Sequence, residues 1–523
     1  MTARQHHGLA LAQLLPDWGT CGRAAVLPAG WSPDSLGAVV IHDVQLDSRK
    51  VSSGSLFIAM PGFDGSQSVD GRQYIAEAAA AGAVVVVAEA KGWEAFAKMT
   101  YSVPVIPVAN LSHRVSSIAG AFYGRPSEQL KVIGITGTNG KTTCSHLLAQ
   151  LFNRLNIKSA VVGTLGYGVP GSHSGLTDTG LTTPDAVTSQ AILAELLDDG
   201  VSNVVMEVSS HSLEQGRLEE VCIRGGVFTN LSRDHLDYHG TMEAYGAAKE
   251  RLFQGPGLAF AVINLDDPAG REMLGNMRAG VSCYSYSLNN DSAALRAKNI
   301  RYTPGGLEAE VVTPWGEATL RTDLVGEFNL SNLLAVIAAA CASGLPFEPV
   351  VEAAGALKPV SGRLEVIDGS RGPRVVVDYA HTPAALEQAL SALRTSSRQL
   401  AHAGELWCVF GCGGDRDAGK RAEMGAVAAR LADRVVITSD NPRKESPAAI
   451  MAAIAQGAGA GANCIEDRAE AIRFAIANAA IEDTVLIAGK GHERYQITGE
   501  QRLPFSDAAQ ARLALRSWGD DSE

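Results

Sequence analysis

The chain has 523 residues, a formal net charge of −12 and 46% hydrophobic residues. That length exceeds one hydrophobic core and predicts about three domains; the negative balance excludes a general electrostatic grip on nucleic acid, so phosphates must be met by local basic pockets. Eight cysteines without C-x-x-C or zinc spacing read as reduced thiols of a cytoplasmic protein, and no apolar run approaches the roughly 20 residues of a membrane span.

In chain order, residues 1–128 read as a first α/β domain. Val39 to Ile41 and Leu56 to Ala59 are predicted as short strands, Gly71 to Ala81 as an Ala-rich helix, and Ala83 to Val87 as a fully buried strand. Leu46-Asp47-Ser48-Arg49 and the polar stretch after Met60 read as connecting loops.

A second domain, 129–358, opens on the apolar Leu130 to Ile133, followed by Gly134-Ile135-Thr136-Gly137-Thr138-Asn139-Gly140-Lys141-Thr142-Thr143 and a helical pattern to Leu155. Strand, glycine-rich turn and helix in this order aim backbone N–H groups and a helix N-terminus at phosphate oxygens. A lysine there neutralises charge, and a threonine hydroxyl can reach magnesium. The glycines at 134, 137 and 140 depart from the usual G-x-x-x-x-G-K-[ST] spacing, but every phosphate-binding part is present. Glu207 ends the apolar run Val204 to Met206, where a carboxylate can hold a metal or its water shell. Phe228 to Asp237 gathers Asn230, Asp234 and His235 after another strand. Met242 to Phe253 is helical in pattern and carries Lys249, by itself an ordinary helix lysine.

A third domain, 359–523, restarts the alternation with predicted strands at Arg374 to Val377, Leu406 to Phe410, Arg434 to Thr438 and Thr484 to Ala488. Such alternation implies a largely parallel sheet covered on both faces, with ligands at the carboxyl ends of its strands.

Gly137-Thr138-Asn139-Gly140-Lys141-Thr142-Thr143, Met206 to His211, Asn230 to Gly240, Ala247-Ala248-Lys249, Gly326 to Asn332, Ser361-Gly362-Arg363 and Asp378 to Pro383 together resemble the Mur ligase family, in order and over nearly the whole chain. The resemblance implies an α/β protein of three domains, with a central P-loop-type ATPase domain and a Rossmann-like C-terminal domain. It also implies ATP and Mg2+ as cofactors. Leu46 to Arg49, Thr182-Thr183-Pro184, Gly413 to Asp417 and Gly489 to Glu493 are most similar to the branch that joins a diamino acid to the D-glutamate of a UDP-MurNAc-dipeptide.

By the same resemblance, Lys141, Glu207, His235 and Lys249 are the expected catalytic residues. Gly137, Thr138, Asn139, Gly140, Lys141, Thr142, Thr143, Asn329, Arg363 and Asp378 are expected at ATP. The metal set is Thr142, Glu207, His235 and Lys249, the last as a carbamate. Leu46, Ser48, Thr182, Thr183, Ser209, Gln215 and Arg217 resemble the contacts to the UDP-muramoyl-dipeptide. Arg416, Asp440, Asn441, Pro442, Arg443, Gly489 and Glu493 resemble those to the amino acid, expected to be meso-diaminopimelate because a guanidinium at 443 grips a distal carboxylate and repels the bare ammonium of lysine.

The segment Gly62 to Gly71 is longer than the family turn, and residues 285–322 carry strand-like patches without evident chemistry. Oligomeric state has no signal. Asp440 to Arg443 and Thr182-Thr183 argue against a lysine-adding or folylpolyglutamate-synthetase-like ligase, and intact Lys141, Glu207, His235 and Lys249 argue against a non-catalytic scaffold.

Overall fold

The computed structural model describes residues 8–15, 17–21, 24–62, 70–172, 175–303, 306–367, 372–399 and 404–518. The chain divides into two compact units, one of Met1–Gly134, Ile157–Gly226 and Ala247–Ala259, the other of Ile135–Asn156, Val227–Gly246 and Phe260–Glu523.

In the first unit, strands Asp43–Gln45, Ser55–Ala59, Ala83–Glu89 and Val105–Val108 form a parallel sheet in that order. Ala83–Glu89 is almost wholly apolar because both its faces are covered. The strand expected over Val39 to Ile41 is Val40–Ile41, paired antiparallel with Leu9–Ala10, and a separate strand follows after His42. The helix expected over Gly71 to Ala81 begins as a 3-10 turn, Gly71–Tyr74, because the Asp70 carboxylate accepts from the Arg72 N–H at 3.0 Å; the α-helix is Ile75–Ala81. Positions 63–69 of the long polar stretch lie outside the described residues. Further along, Asn203–Glu207 pairs parallel with Ser159–Gly163, so Glu207 stands at a carboxyl end.

In the second unit, Phe260–Asn264, Ser282–Ser287 and Leu295–Thr303 run parallel and are extended by the antiparallel strands Gly306–Thr313 and Gly316–Thr322. The helix Glu327–Ala342 is buried nearly all round, as its Leu- and Ala-rich sequence requires, and packs on the helix Lys141–Arg154.

A separate six-stranded sheet has the order Glu365–Ile367, Arg374–Asp378, Thr484–Ala488, Leu406–Phe410, Arg434–Ile437, Asn463–Cys464; only the first strand is antiparallel. Side chains alternate between two cores. Val376, Cys408, Phe410 and Leu486 pack with Leu386, Met424 and Ile454 of the helices Pro383–Gln399, Lys420–Leu431 and Pro447–Ala458. Val375, Val377, Trp407, Val409 and Ile487 pack with Ile472 and Leu515 of the helices Arg468–Asn478 and Asp507–Arg516. Both faces are dry, so the carboxyl ends are left for polar residues.

Candidate active site

The strand Lys131–Thr136 delivers the chain into the glycine turn, and the helix Lys141–Arg154 begins at Lys141. Gly137 and Gly140 have φ of 146° and 85°, in the region that only glycine enters cheaply. A Cβ on Gly137 would also run into Thr229 Oγ1, and one on Gly140 would stand 2.9 Å from Asn332 Oδ1. The turn is braced from outside: Asn139 N–H donates to Asn230 Oδ1 at 3.0 Å, and Thr229 Oγ1 and Asn230 Nδ2 donate to Asn139 O at 2.6 and 3.1 Å. Thr138 Oγ1 accepts from Ser232 N–H at 3.0 Å and bonds to Tyr245 OH at 3.3 Å. Lys141 Nζ donates to Gly137 O and Thr138 O at 2.7 and 2.8 Å, which holds the ammonium over the turn.

A cavity of about 390 Å³ opens beside this turn, lined by Asn139, Gly140 and Thr143 and, across from them, Asn332, Arg363, Asp378, Tyr379 and His381. Arg363 reaches Thr142 Oγ1 at 3.1 Å and lies over the Tyr379 ring at 4.5 Å. Its turn is held by carboxylates. Asp378 accepts from Leu364 N–H at 2.7 Å and Ala380 N–H at 2.8 Å, and Glu365 accepts from Gly362 N–H at 2.8 Å. These bonds sustain Leu364 at φ 43°, a strained value for a branched residue. Burial raises the Asp378 carboxyl above its ordinary range, against the opposing pull of Arg363 and the two N–H groups.

Of the residues expected at ATP, Asn139, Gly140, Thr143, Arg363 and Asp378 line this cavity. Asn329 does not: its Nδ2 donates to Val325 O at 2.9 Å and its Oδ1 meets Asn332 Nδ2 at 3.4 Å, so Asn332, one turn on, forms the wall. Asn264, Asp266, Tyr286, Tyr302 and Glu327 also line it and were not anticipated. The stretch 285–322, silent in the sequence, thus supplies walls. A Tyr at alternate strand positions is the only signal that could have marked it.

His146 lies on the helix Lys141–Arg154, 5% exposed, with Nε2 unpartnered among the described residues. Burial, reinforced by Arg363, pushes its imidazole down to about 4. The unfolded chain takes up this proton near pH 6.5, so the stability gained by keeping His146 neutral is complete above about pH 6.5 and lost as the pH falls to about 4, roughly 3 kcal/mol in all. Denaturant midpoints of wild type and His146→Gln should therefore diverge on acidification, the variant losing less stability. Parallel curves would show that His146 is not the group that titrates.

After the strand Ile223–Phe228, Asp234 is placed with His235, whose φ is 54°, its carboxylate accepting from the His235 N–H at 3.0 Å. Burial works to raise Asp234, but positive charge at His235, His381 and Lys420 outweighs it and holds the carboxyl below its usual range.

The first unit gathers most of the residues expected at the UDP-muramoyl-dipeptide. Glu207, fully buried, accepts from Thr164 N–H and Oγ1 at 2.9 and 3.1 Å; Thr164 Oγ1 is 3.0 Å from Thr182 Oγ1. Thr183 Oγ1 donates to Glu207 O at 2.8 Å and accepts from Ser209 N–H at 3.1 Å. Arg217 donates to Thr183 O and Gln215 Oε1, each at 2.8 Å. Thr164 was missed; Gly163 before it, where a Cβ would strike the Glu207 carboxylate, is the signal that could have found it. Ser48 opens a 3-10 turn, Ser48–Lys50, rather than a plain loop, next to Leu46 and capped by Asp47, whose carboxyl the Arg49 guanidinium holds down to about 2. Lys249, on the helix Met242–Glu250, is 1% exposed, so it is no surface lysine.

At the carboxyl ends of the six-stranded sheet, Asp440-Asn441-Pro442-Arg443 and Gly489 to Glu493 meet. Asn441 Oδ1 accepts from Lys490 Nζ at 3.0 Å and Ile497 N–H at 2.9 Å, while its Nδ2 donates to Glu493 Oε2 at 2.9 Å. Asp440 Oδ2 occupies the space a Cβ on Gly489 would need. Arg443, at φ 50°, is fixed through its backbone to Ile497 O (3.1 Å) and Gly499 N–H (2.7 Å) of the hairpin Tyr495–Thr498 and Gln501–Pro504. Its Nη1 donates to Gly414 O at 2.8 Å, and no carboxylate among the described residues pairs with its guanidinium. Arg416 is exposed on the neighbouring loop. Beneath them Arg468, wholly buried, donates to Asp507 (2.7 and 2.8 Å), Ser439 O (3.2 Å) and Ala488 O (2.8 Å). Sequence reasoning missed Lys490, Arg468 and the hairpin.

Among the described residues no helix is long and apolar enough to cross a membrane, and no three or more His, Cys, Asp and Glu side chains cluster as a metal ligand set. Magnesium asks for few protein oxygens and completes its shell with phosphate and water, so a hydroxyl such as that of Thr142, at the start of the helix after the glycine turn, suits it.

Family models match three successive segments: "Mur ligase family, catalytic domain" over 40–123, "Mur ligase middle domain" over 135–340 and "Mur ligase, glutamate ligase domain" over 362–491. The UDP-N-acetylmuramoyl-L-alanyl-D-glutamate–2,6-diaminopimelate ligase of Coxiella burnetii is 47% identical over 91% of this chain and 96% of its own; that of Pseudomonas aeruginosa is 48% identical over 93% and 97%. A solved structure of a ligase of the same name, 35% identical, covers 98% of this chain and 99% of its own with a TM-score of 0.66. Identity at this level, over nine tenths of the chain and through all three matched segments, has one explanation, and the chain belongs to the Mur ligase family.

Proposed function

We infer that this chain is an ATP-dependent ligase that adds meso-diaminopimelate to the D-glutamate of UDP-N-acetylmuramoyl-L-alanyl-D-glutamate, a step of peptidoglycan precursor synthesis. The names of its relatives support the reaction. The observation that carries the amino acid is Arg443, a half-buried guanidinium that no carboxylate among the described residues pairs with, on the turn whose Asn441 donates to Glu493.

A carboxylate does not acylate an amine in water because oxide is a poor leaving group. Its oxygen attacks the γ-phosphorus of ATP, the bond to the β-phosphate oxygen breaks, and ADP leaves an acyl phosphate. The amine of diaminopimelate attacks the carbonyl carbon, inorganic phosphate leaves and a proton is lost. The protein's work is positioning and charge neutralisation. Gly137 to Thr143 offer backbone N–H groups and the Lys141 ammonium to the phosphates; Arg363 and Asp378 bound the nucleotide cavity. Thr142 and His235 are proposed metal contacts in the second unit, and Glu207 and Lys249, as its carbamate, in the first. Magnesium, when bound, supplies neutralisation of the triphosphate. Ser48, Thr182, Thr183, Ser209, Gln215 and Arg217 are assigned to the UDP-muramoyl-dipeptide.

The test is phosphate release from ATP with the UDP-muramoyl-dipeptide and a panel of amino acids, run on wild type and Arg443→Ala. Diaminopimelate should be preferred over lysine. In the variant its specificity constant should fall by about thirtyfold, the roughly 2 kcal/mol expected for unpairing a partly exposed charge pair. Lysine should gain little, because removing a repulsive cation supplies no anion. A wild type that prefers lysine, or a ratio unmoved by the substitution, would make Asp440 to Arg443 a mere turn.

A further inference from the structure

Lys490 has no solvent exposure, and a buried ammonium is costly unless it is paired and fully hydrogen-bonded. Its partners are Glu493 Oε2 at 2.7 Å and Asn441 Oδ1 at 3.0 Å. The same Asn441 side chain donates to the same Glu493 oxygen, so the three groups close a ring: ammonium to carboxylate, ammonium to amide oxygen, amide N–H to carboxylate. Glu493 Oε1 has no partner among the described residues and the side chain keeps 16% exposure, so this oxygen is the one left for an incoming group.

Around this corner Lys490 is paired with Glu493 and Arg468 with Asp507, while Asp440 and Arg443 stand on one turn and Arg416 is exposed on the neighbouring loop. What faces a ligand is therefore a guanidinium that no carboxylate among the described residues pairs with and a carboxylate whose charge Lys490 already offsets. A bare ammonium meets no net negative charge here. An end that carries both an ammonium and a carboxylate can place the first on Glu493 Oε1 and the second on Arg443, adding no net charge to the corner.

We propose that Lys490 is a positioning residue that sets amino-acid choice: by neutralising Glu493 from the inside, it denies the pocket to substrates ending in an ammonium alone. The proposal rests on the diaminopimelate reading given above and assigns part of that preference to a residue that does not touch the substrate.

The measurement is the ratio of kcat/KM for diaminopimelate to that for lysine, with the KM for ATP as internal control, in wild type, Lys490→Met, Lys490→Arg and Glu493→Gln. Lys490→Met frees the Glu493 charge, so the ratio should drop by about tenfold or more, largely through a gain for lysine. Lys490→Arg should keep the ratio near that of wild type. Glu493→Gln, which leaves the Lys490 charge uncompensated, should raise the ratio, and it tests the idea even where Lys490→Met does not fold. A merely structural Lys490 would lower both specificity constants by one factor; an unmoved ratio in Lys490→Met, or a ratio unmoved or lowered in Glu493→Gln, overturns the proposal. A wild type without preference for diaminopimelate defeats the underlying reading first, and the Lys490 assignment with it.

Discussion

Lys249→Ala should lower phosphate release by about a thousandfold or more while the protein stays folded, because the substitution removes a proposed metal ligand from the phosphoryl-transfer step and alanine is the best helix former. The physical basis is the 1% exposure of Lys249. An amine so nearly closed off from water can, in its neutral form, attack carbon dioxide, forming an N–C bond and releasing a proton to give a carbamate. The side chain changes from a cation to an anion, which a magnesium ion can then hold. Wild-type rate should accordingly depend on bicarbonate, and small carboxylates such as formate should restore part of the rate of Lys249→Ala. A variant with near-normal turnover, or a wild type indifferent to exhaustive removal of bicarbonate, defeats the assignment. Far-UV circular dichroism and Tm separate loss of chemistry from loss of fold.

Lys141→Met should be nearly as damaging, with kcat down by about a thousandfold and the diaminopimelate KM little changed, because methionine keeps the apolar stem and deletes only the charge set against the phosphates. In the structure that ammonium is held at 2.7 and 2.8 Å by two carbonyls of its own turn. Gly137→Ala should join it for a different reason: φ of 146° and the approach of Thr229 forbid a side chain, so the turn itself must move. Stopped-flow binding of a fluorescent ATP analogue distinguishes the two. Lys141→Met should weaken binding modestly, whereas Gly137→Ala should abolish it. Unimpaired turnover in Lys141→Met would remove the turn from the phosphate-binding role.

Much of this was legible because the decisive elements are buried on both faces. Leu406–Phe410 and Thr484–Ala488 end where their apolar runs end, since such a strand is a continuous hydrophobic run and a glycine follows each. The glycine turn was legible because backbone geometry, not packing, selects its residues. The cavity walls were not. Tyr286 and Tyr302 sit on partly polar strands whose alternation tells which side chains share a face but not what that face meets. Asn329 and Asn332 lie three apart on one helix, and only the packing of Glu327–Ala342 decides which of them reaches the cavity. Lys490 and Arg468 were invisible for a plainer reason: a buried charge carries no mark in sequence that separates it from an exposed one.

The Arg468 side chain ties the order of synthesis to the chemistry. Its guanidinium joins Ser439 and Ala488, the strand ends that lead into Asp440 to Arg443 and Gly489 to Glu493, and its counter-charge comes from Asp507, at the head of a helix made later. Until that helix leaves the ribosome and docks, a cation with no solvent exposure in the finished protein lacks its anion, a defect of roughly 3 to 5 kcal/mol. The two turns that read the amino acid therefore cannot lock at their working separation in a chain cut short before Asp507.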